Sequence, residues 1–407
     1  MKKLFAVSAL LLTSTLAQAG GYQLQEYSTA NMGRAFAGAG IVGDDYSAIA
    51  FNPAGMELKN DGLQMGVNLI KIHSVLTGSL STGKSGQGEI RTHKALPHFF
   101  GQKRINDRWT VGAGFYTPFG MGTYYTNKQW FAANHAINSE ITTMDLALAS
   151  SYKLTDTLTV GGSVFAEYME ARLTSRALNG MDNDLNANDN TAPGYTLGLM
   201  YRPTQDTRFG ITYRSKTTHK IRGPHYIDNH PLLGSIYGMV GTKLVMPEHV
   251  LLSAHQKVGK FGLSASARWT RWSRFDKLDM DSSAYYKATG SATSKIPTVN
   301  EDWKNAWMIG VGVDYYHNEN WTFRAGVAHD EGAVKRPVTR TARIPDSNRW
   351  LTTIGASYKS GNWQLDLSYG HMFWKKGRMS NEASGTTLNG EFKTGLDLAG
   401  VSLQYNF

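Results

Sequence analysis

Three sets of side chains in this chain could do chemistry. Ser253 and His255 could belong to a hydroxyl–imidazole hydrolase such as an outer-membrane phospholipase, which also needs a polar partner. No nucleophile turn surrounds them, so catalysis is not expected. The histidines show no metal-ligand spacing, and no phosphate-binding glycine loop precedes a helix. Cysteine is absent, which excludes disulfides, thiolate metal sites and cysteine nucleophiles. Neither a metal nor an organic cofactor is expected. The third set is cationic, and includes Lys304, Arg214, Arg268 and Arg324. A cation beside an apolar slot can hold a carboxylate whose tail fills the slot. Whether these cations face such a slot depends on the elements that carry them.

Those elements read as membrane strands. The chain closes on Val401, Leu403, Tyr405 and Phe407, with Gly400, Ser402, Gln404 and Asn406 on the other face. One greasy and one polar face, ending on an aromatic, fits the closing strand of an outer-membrane β-barrel. Such a strand is the expected handle for the barrel-assembly machinery. At the other end, Lys2 and Lys3 precede an apolar run from Leu4 to Leu16 and a small-x-small site, Ala17-Gln18-Ala19. That run is too short to span a bilayer and reads as an export signal, residues 1–19, cut after Ala19. No other stretch reaches the roughly 20 apolar residues of a membrane helix. An exported chain without such helices can still cross a membrane as a barrel, because alternation hides the greasy face in the average.

Eight further runs alternate in the same way: 109–115, 158–168, 195–201, 209–213, 261–269, 307–315, 321–327 and 363–369. Several start or stop on Trp or Tyr, as interfacial girdles require. Short polar turns at Asn106-Asp107, Thr155-Asp156, Pro203–Asp206, Gly259-Lys260, Asn318–Asn320 and Ser360–Asn362 alternate with longer connectors. The longer ones lie near 75–87, 120–139, 175–192, 221–246, 275–302, 332–347 and 376–390. Pairing these segments predicts an all-β fold, an antiparallel transmembrane barrel of about fourteen strands over 62–407. Residues 20–61 do not alternate. They are rich in Gly, Ala and Asn, and are expected to fold inside the lumen as a plug.

Parity then sorts the cations. With Trp307, Ile309 and Val311 facing lipid, Lys304 faces the lumen, and Arg214, Arg268 and Arg324 do so by the same count. Glu167, Asp314 and Asp366 share that face, so some of these cations are expected to be paired. The formal net charge is +10, but Lys and Arg are scattered. Anionic lipid head groups such as lipopolysaccharide, or a positive lumen, are therefore expected rather than nucleic acid. The segment 221–246 carries Leu232, Leu233, Ile236, Tyr237 and Val240 at i, i+4, i+8 spacing, which predicts an amphipathic helix that docks hydrophobic ligands or caps the barrel. In the third strand, Tyr116-Thr117-Pro118-Phe119-Gly120 should lose its pairing, since Pro118 has no N–H to donate.

These residues resemble the FadL-type long-chain fatty-acid transporter family of Gram-negative outer membranes. The likeness runs from Gly21-Tyr22-Gln23-Leu24, Gly33-Arg34-Ala35, Asp44-Asp45 and Asn52-Pro53-Ala54 to Thr270-Arg271-Trp272-Ser273. It continues through Asn320-Trp321-Thr322-Phe323-Arg324 and Ile344-Pro345-Asp346 with Arg349, so nearly all of the chain after residue 20 is covered. The resemblance implies passive uptake of long-chain fatty acids or other hydrophobic molecules, and exit through a gap beside a kinked third strand. It implies a luminal hatch touching that kink through Asn52, Pro53 and Ala54, with Tyr116, Pro118, Phe119 and Gly120 as gating residues. It also implies that Trp303-Lys304-Asn305-Ala306-Trp307 supplies a cation to the ligand pocket, and the fifth strand another, from Arg172 or Arg176. One departure is the short polar connector near 176–192, where the resemblance implies a second loop for an external docking groove; such a groove is absent or is built from 120–139 with Tyr124, Tyr125, Trp130 and Phe131. A monomer is expected. The rival reading is a diffusion porin, which would need no hatch.

Overall fold

The computed structural model describes residues 20–177 and 179–407, so the expected export signal lies outside the described residues. Twenty hydrogen-bonded segments form one sheet that makes fourteen antiparallel passes. The first strand, Gly62–Leu80, pairs with the second, Ser85–Arg104, on one side and with the last, Thr386–Asn406, on the other. The closing register runs from Gly62 opposite Asn406 to Leu80 opposite Leu388, so the sheet has no free edge. Closure gives the first and last strands ladder partners for their N–H and C=O groups, which lipid cannot provide.

The third strand is Trp109–Tyr116 and, after a break, Gly120–Tyr124. Asn138–Lys153, Leu158–Arg176 and Asp182–Tyr201 follow as the fourth to sixth. The seventh to tenth each consist of two pieces. They are Thr207–Arg214 with Thr217–His230, and Gly234–Met246 with His249–Val258. Next come Phe261–Thr270 with Lys277–Ser282, and Lys295–Asn300 with Ala306–Tyr316. Trp321–Asp330 and Arg349–Ser360 are the eleventh and twelfth; Trp363–Trp374 with Gly377–Ala383 is the thirteenth.

The long connectors are corrected by the structure. Four of them are mostly strand, so the hairpins at 81–84, 177–181, 231–233 and 384–385 are short. A strand of 21 residues such as Thr386–Asn406 is about twice what a bilayer needs, and its outer half extends past the bilayer with Leu388 and Phe392 buried on the inner face. The predicted helix over 221–246 is likewise a hairpin, with Ile236 opposite Ile227 and Leu244 opposite His219. Positions four apart share a face in a strand as well as in a helix, which is why the spacing misled. Ile236 and Val240 point inward, Tyr237 points outward, and Leu232 and Leu233 sit exposed at the tip.

Residues 20–61 lie against the inner faces of the strands, and nearly every side chain from Tyr22 to Met56 is buried. Two short helices, Thr29–Met32 and Ala48–Phe51, and the 3-10 turn Pro53–Leu58 are their only regular structure. Ser28 caps the first by accepting from the Asn31 amide. The wall makes room by omitting side chains. A Cβ on Gly326 would lie 2.2 Å from the Arg34 backbone, and one on Gly161 would lie 2.2 Å from Ala54 N. These glycines serve close approach.

Four charges fix the segment to the wall. Arg34 donates to Asp44 at 2.6 Å and to the wall residue Asp314 at 3.1 Å, while Arg324 donates to Asp44 at 2.9 Å. Two cations face two carboxylates there, a satisfied arrangement whose members cannot be removed singly without stranding a charge.

Candidate functional site

The wall is interrupted beside the third strand. Its ladder with the second strand runs from Arg104↔Thr110 to Phe99↔Phe115 and stops. The next backbone contact between the two is a single bridge, Ile90↔Tyr125. Between these points Thr117, Pro118 and Phe119 leave the strand, as a proline without an N–H favours.

The freed backbone finds partners inside. Gly120 donates to Tyr22 O at 2.9 Å, Leu24 donates to Pro118 O at 2.8 Å, and Gln23 bridges Phe119. Phe119 N also donates to Thr143 Oγ1 at 3.1 Å. The segment Tyr22–Leu24 thus acts as a short strand behind the break.

Facing directions establish an inward displacement. Ile70 is buried and pairs with Lys94, so Thr92 and Lys94 point to the lumen. Gly122 pairs with Glu140, whose neighbours Ser139 and Ile141 are buried, so Gly122 and Glu140 point outward. Yet a Cβ on Gly122 would meet Thr92 Cγ2 at 2.9 Å, and Thr92 Oγ1 donates to Gly122 O at 2.7 Å. The inner face of the second strand therefore packs on the outer face of the third. A slit results, and the Lys94 ammonium passes through it to pair with the Glu140 carboxylate.

A cavity of about 380 Å³ opens into this slit. Ile70, Leu96, Met372 and Leu396 line it from the lumen, while Ala95, Pro97, Thr142 and Met144 line it from the outer faces of the second and fourth strands. Its size and apolar walls suit a single elongated hydrophobic molecule.

A second cavity of about 60 Å³ shares Met121, Ile141 and Ile344 with the first. It is apolar except near Arg343 and Glu301. Arg343 comes from the loop between the eleventh and twelfth strands. Its Nη1 donates to Asn138 O, Ser139 Oγ and Thr174 O at 3.0–3.3 Å. It forms no salt bridge among the described residues. Burial pushes this guanidinium down to about 10 and the Glu301 carboxyl up to about 7. An apolar slot ending on an unneutralised cation can receive a carboxylate headgroup.

These features meet in one family. The sequence matches the family model described as outer membrane protein transport protein (OMPP1/FadL/TodX) over residues 10–407. The chain belongs to this family. It is an outer-membrane β-barrel whose relatives transport compounds rather than transform them. It is 26% identical to the long-chain fatty acid transport protein of Escherichia coli O6:H1 (strain CFT073), over 100% of this chain and 99% of that one. It is 25% identical to outer membrane protein P1 of Haemophilus influenzae (strain ATCC 51907 / DSM 11121 / KW20 / Rd), over 98% of each. Among solved structures, a Pseudomonas aeruginosa FadL homologue matches with a TM-score of 0.85 at 23% identity, covering 95% of this chain and 100% of that one. The Ralstonia pickettii toluene transporter TbuX matches at 0.70 and 18%, covering 94% and 99%. The two structures speak for the fold.

Within this OMPP1/FadL/TodX barrel the expected site residues are dispersed. Lys304 is half-buried and lines neither cavity, its amide donating to Ala333 O at 2.9 Å. The parity count assumed one continuous strand, but the tenth breaks between Asn300 and Ala306. Trp303 turns inward instead, 5.6 Å from the Tyr22 ring and 5.1 Å from Trp272. Arg172 points outward in a two-bond pair with Asp184, and Arg176 pairs in the same way with Asp182. The register shift after Glu167 places its extra residue in the sixth strand, so the fifth keeps its parity. Arg324 belongs to the charge cluster that holds residues 20–61.

Asn52, Pro53 and Ala54 lie against the fifth and sixth strands, where Asn52 Nδ2 donates to Leu199 O at 3.2 Å. Contact with the break in the third strand is made by Tyr22–Leu24. Tyr116 ends the lower part of the third strand, its hydroxyl accepting from Arg214, which also binds Asp145 at 2.8 Å and Glu167 at 2.9 Å. Phe119 is buried and Gly120 lines the slit cavity. Ser253 and His255 both point inward. Ser253 donates to Ala39 O at 3.1 Å and His255 bonds Ser264 at 2.9 Å. Arg343 and Lys94 were not singled out by the sequence; alternation marks Lys94 as inward, but nothing local marks Arg343.

Proposed function

We propose that this protein carries long-chain fatty acids or other hydrophobic compounds passively across the outer membrane. In this reading the ligand binds within the lumen and leaves sideways through the slit between the second and third strands. One observation carries it: a single apolar cavity has both lumen-facing and lipid-facing side chains in its wall. A molecule in that cavity can reach the bilayer without entering the periplasm. The ladder beside the slit is already absent, so opening breaks few bonds. Transport of this kind runs down a concentration gradient, and needs neither nucleotide nor proton flow.

Arg343 would hold the headgroup of an acid, with the tail running past Ile141 and Ile344 into the larger cavity. Residues 20–61 act as a plug that denies water a free channel. The relatives named for long-chain fatty acid and toluene transport support the ligand class. The barrel is expected to work as a monomer among lipopolysaccharide and phospholipid.

The test uses Ala95→Cys with Met144→Cys, which flank the slit in a chain that has no native cysteine. Joining them with a bifunctional thiol reagent should abolish uptake of labelled palmitate while binding persists. Full uptake with complete cross-linking would route the ligand to the periplasm. Rapid liposome swelling by small sugars would favour a porin.

A further inference from the structure

Lys94 and Glu140 form an ion pair in a place where the barrel needs none. They belong to the second and fourth strands, and the third normally separates such neighbours. They meet because the third strand is displaced inward and because Gly122 offers no side chain in the path; a Cβ there would lie 3.4 Å from Lys94 Cε. Both are partly exposed, with side-chain accessibilities of 35% and 28%. The ammonium also lies 5.3 Å from the centre of the Tyr124 ring.

The two ends of this pair are not equally committed. Lys94 lines the slit cavity on a flexible stem. The other cation of that cavity, Arg349, is already held by Asp330 at 2.6 Å. Glu140 has a second cation beside it, because Arg172 is its partner across the ladder with the fifth strand. Arg172 is itself paired with Asp184, so it offers Glu140 a nearby positive charge rather than a free partner when Lys94 leaves, whereas Lys94 must find another anion.

From this arrangement we infer that Lys94 is a specificity-determining residue of the lateral slit, exchanging Glu140 for the carboxylate of an outgoing amphipathic acid. The inference rests on the transport reading above. Swapping one carboxylate for another preserves the charge pairing. An uncharged ligand must pass with the pair intact, or break it and supply nothing in return. The slit thus selects for acids at the exit, separately from any selection at Arg343.

The probes are palmitate and hexadecanol, equal in tail and different in charge. Lys94→Met keeps the stem and should lower palmitate uptake about tenfold relative to hexadecanol, the scale of one charged hydrogen bond. Lys94→Arg should restore most of the preference. Glu140→Gln removes the competing anion, and should leave the palmitate preference equal or raised. Heat-modifiable migration of each variant reports that the barrel is folded. A palmitate-to-hexadecanol ratio unchanged in Lys94→Met, with uptake intact, overturns the role of Lys94 alone. Uptake of neither probe by the unaltered protein overturns the transport reading itself.

Discussion

The Gly120 amide donates to the Tyr22 carbonyl at 2.9 Å, joining the segment inside the barrel to the break in its wall. With the Leu24 and Pro118 bond alongside it, the inner segment and the slit share a two-stranded patch. Moving either disturbs the other. Tyr22 is itself clamped among Phe119, Trp272, Phe275 and Trp303, all within 6.4 Å by ring centres.

Gly21 sets the entrance to that clamp. Its φ is +67°, and a Cβ would lie 2.6 Å from Trp272 and 2.8 Å from Trp303. Gly21→Ala should therefore loosen Tyr22 from the third strand while leaving the ladder intact. Hydrogen exchange at the Gly120 amide should quicken at least tenfold, with little change in barrel melting. An unaltered rate would mean that the Tyr22–Gly120 bond does not depend on this turn.

Arg343→Ala should weaken binding of a long-chain carboxylate by about 1–3 kcal/mol, the worth of a hydrogen bond to a charged group. Lys304→Ala, whose side chain lines neither cavity, should cost less than about 0.5 kcal/mol. Calorimetric titration of the purified barrels measures both. A larger loss in the Lys304 variant would return the headgroup site to the tenth strand.

The charge cluster that holds residues 20–61 to the wall makes a different prediction. Arg324→Ala leaves Asp44 and Asp314 with Arg34 alone, and breaking such a buried set costs about 3–5 kcal/mol. The closed ladder is untouched, so the effect should fall on residues 20–61. Liposomes containing this variant should swell faster in small sugars than those with the unaltered protein. Unchanged swelling would indicate that other contacts hold residues 20–61 in place.

Carboxylate binding should depend on pH through Glu301, which lies beyond the outer-facing aromatic Trp307 and outside the spanning strands. Its carboxyl is raised from 4.5 to about 7 by burial. Below pH 7 it is neutral and Arg343 is unopposed; above, its charge competes with the ligand. Affinity should fall between pH 6 and pH 8, and Glu301→Gln should flatten the profile. Linkage has the same sign for stability, because the folded protein holds the proton more tightly. This group's contribution is fully present below pH 4.5 and lost as pH rises through about 7.

The barrel was legible in the sequence because its signals are local. Alternation has a period of two, and aromatic ends and polar turns recur along each strand, so Trp307–Tyr315 or Trp363–Tyr369 can be read without knowing what lies beside them. The weak ladder at Pro118 was legible for the same reason, since a missing N–H belongs to the residue itself. The hairpin at 221–246 was not legible, because spacings of four satisfy both a helix and a strand. Lys304 was misplaced because parity cannot be counted across the break at 301–305. Arg343 and the Lys94–Glu140 pair depend on contacts between segments far apart in the chain, made when one loop and one displaced strand enter the lumen. Such contacts come from the closing of the wall, and only the tertiary structure decides them.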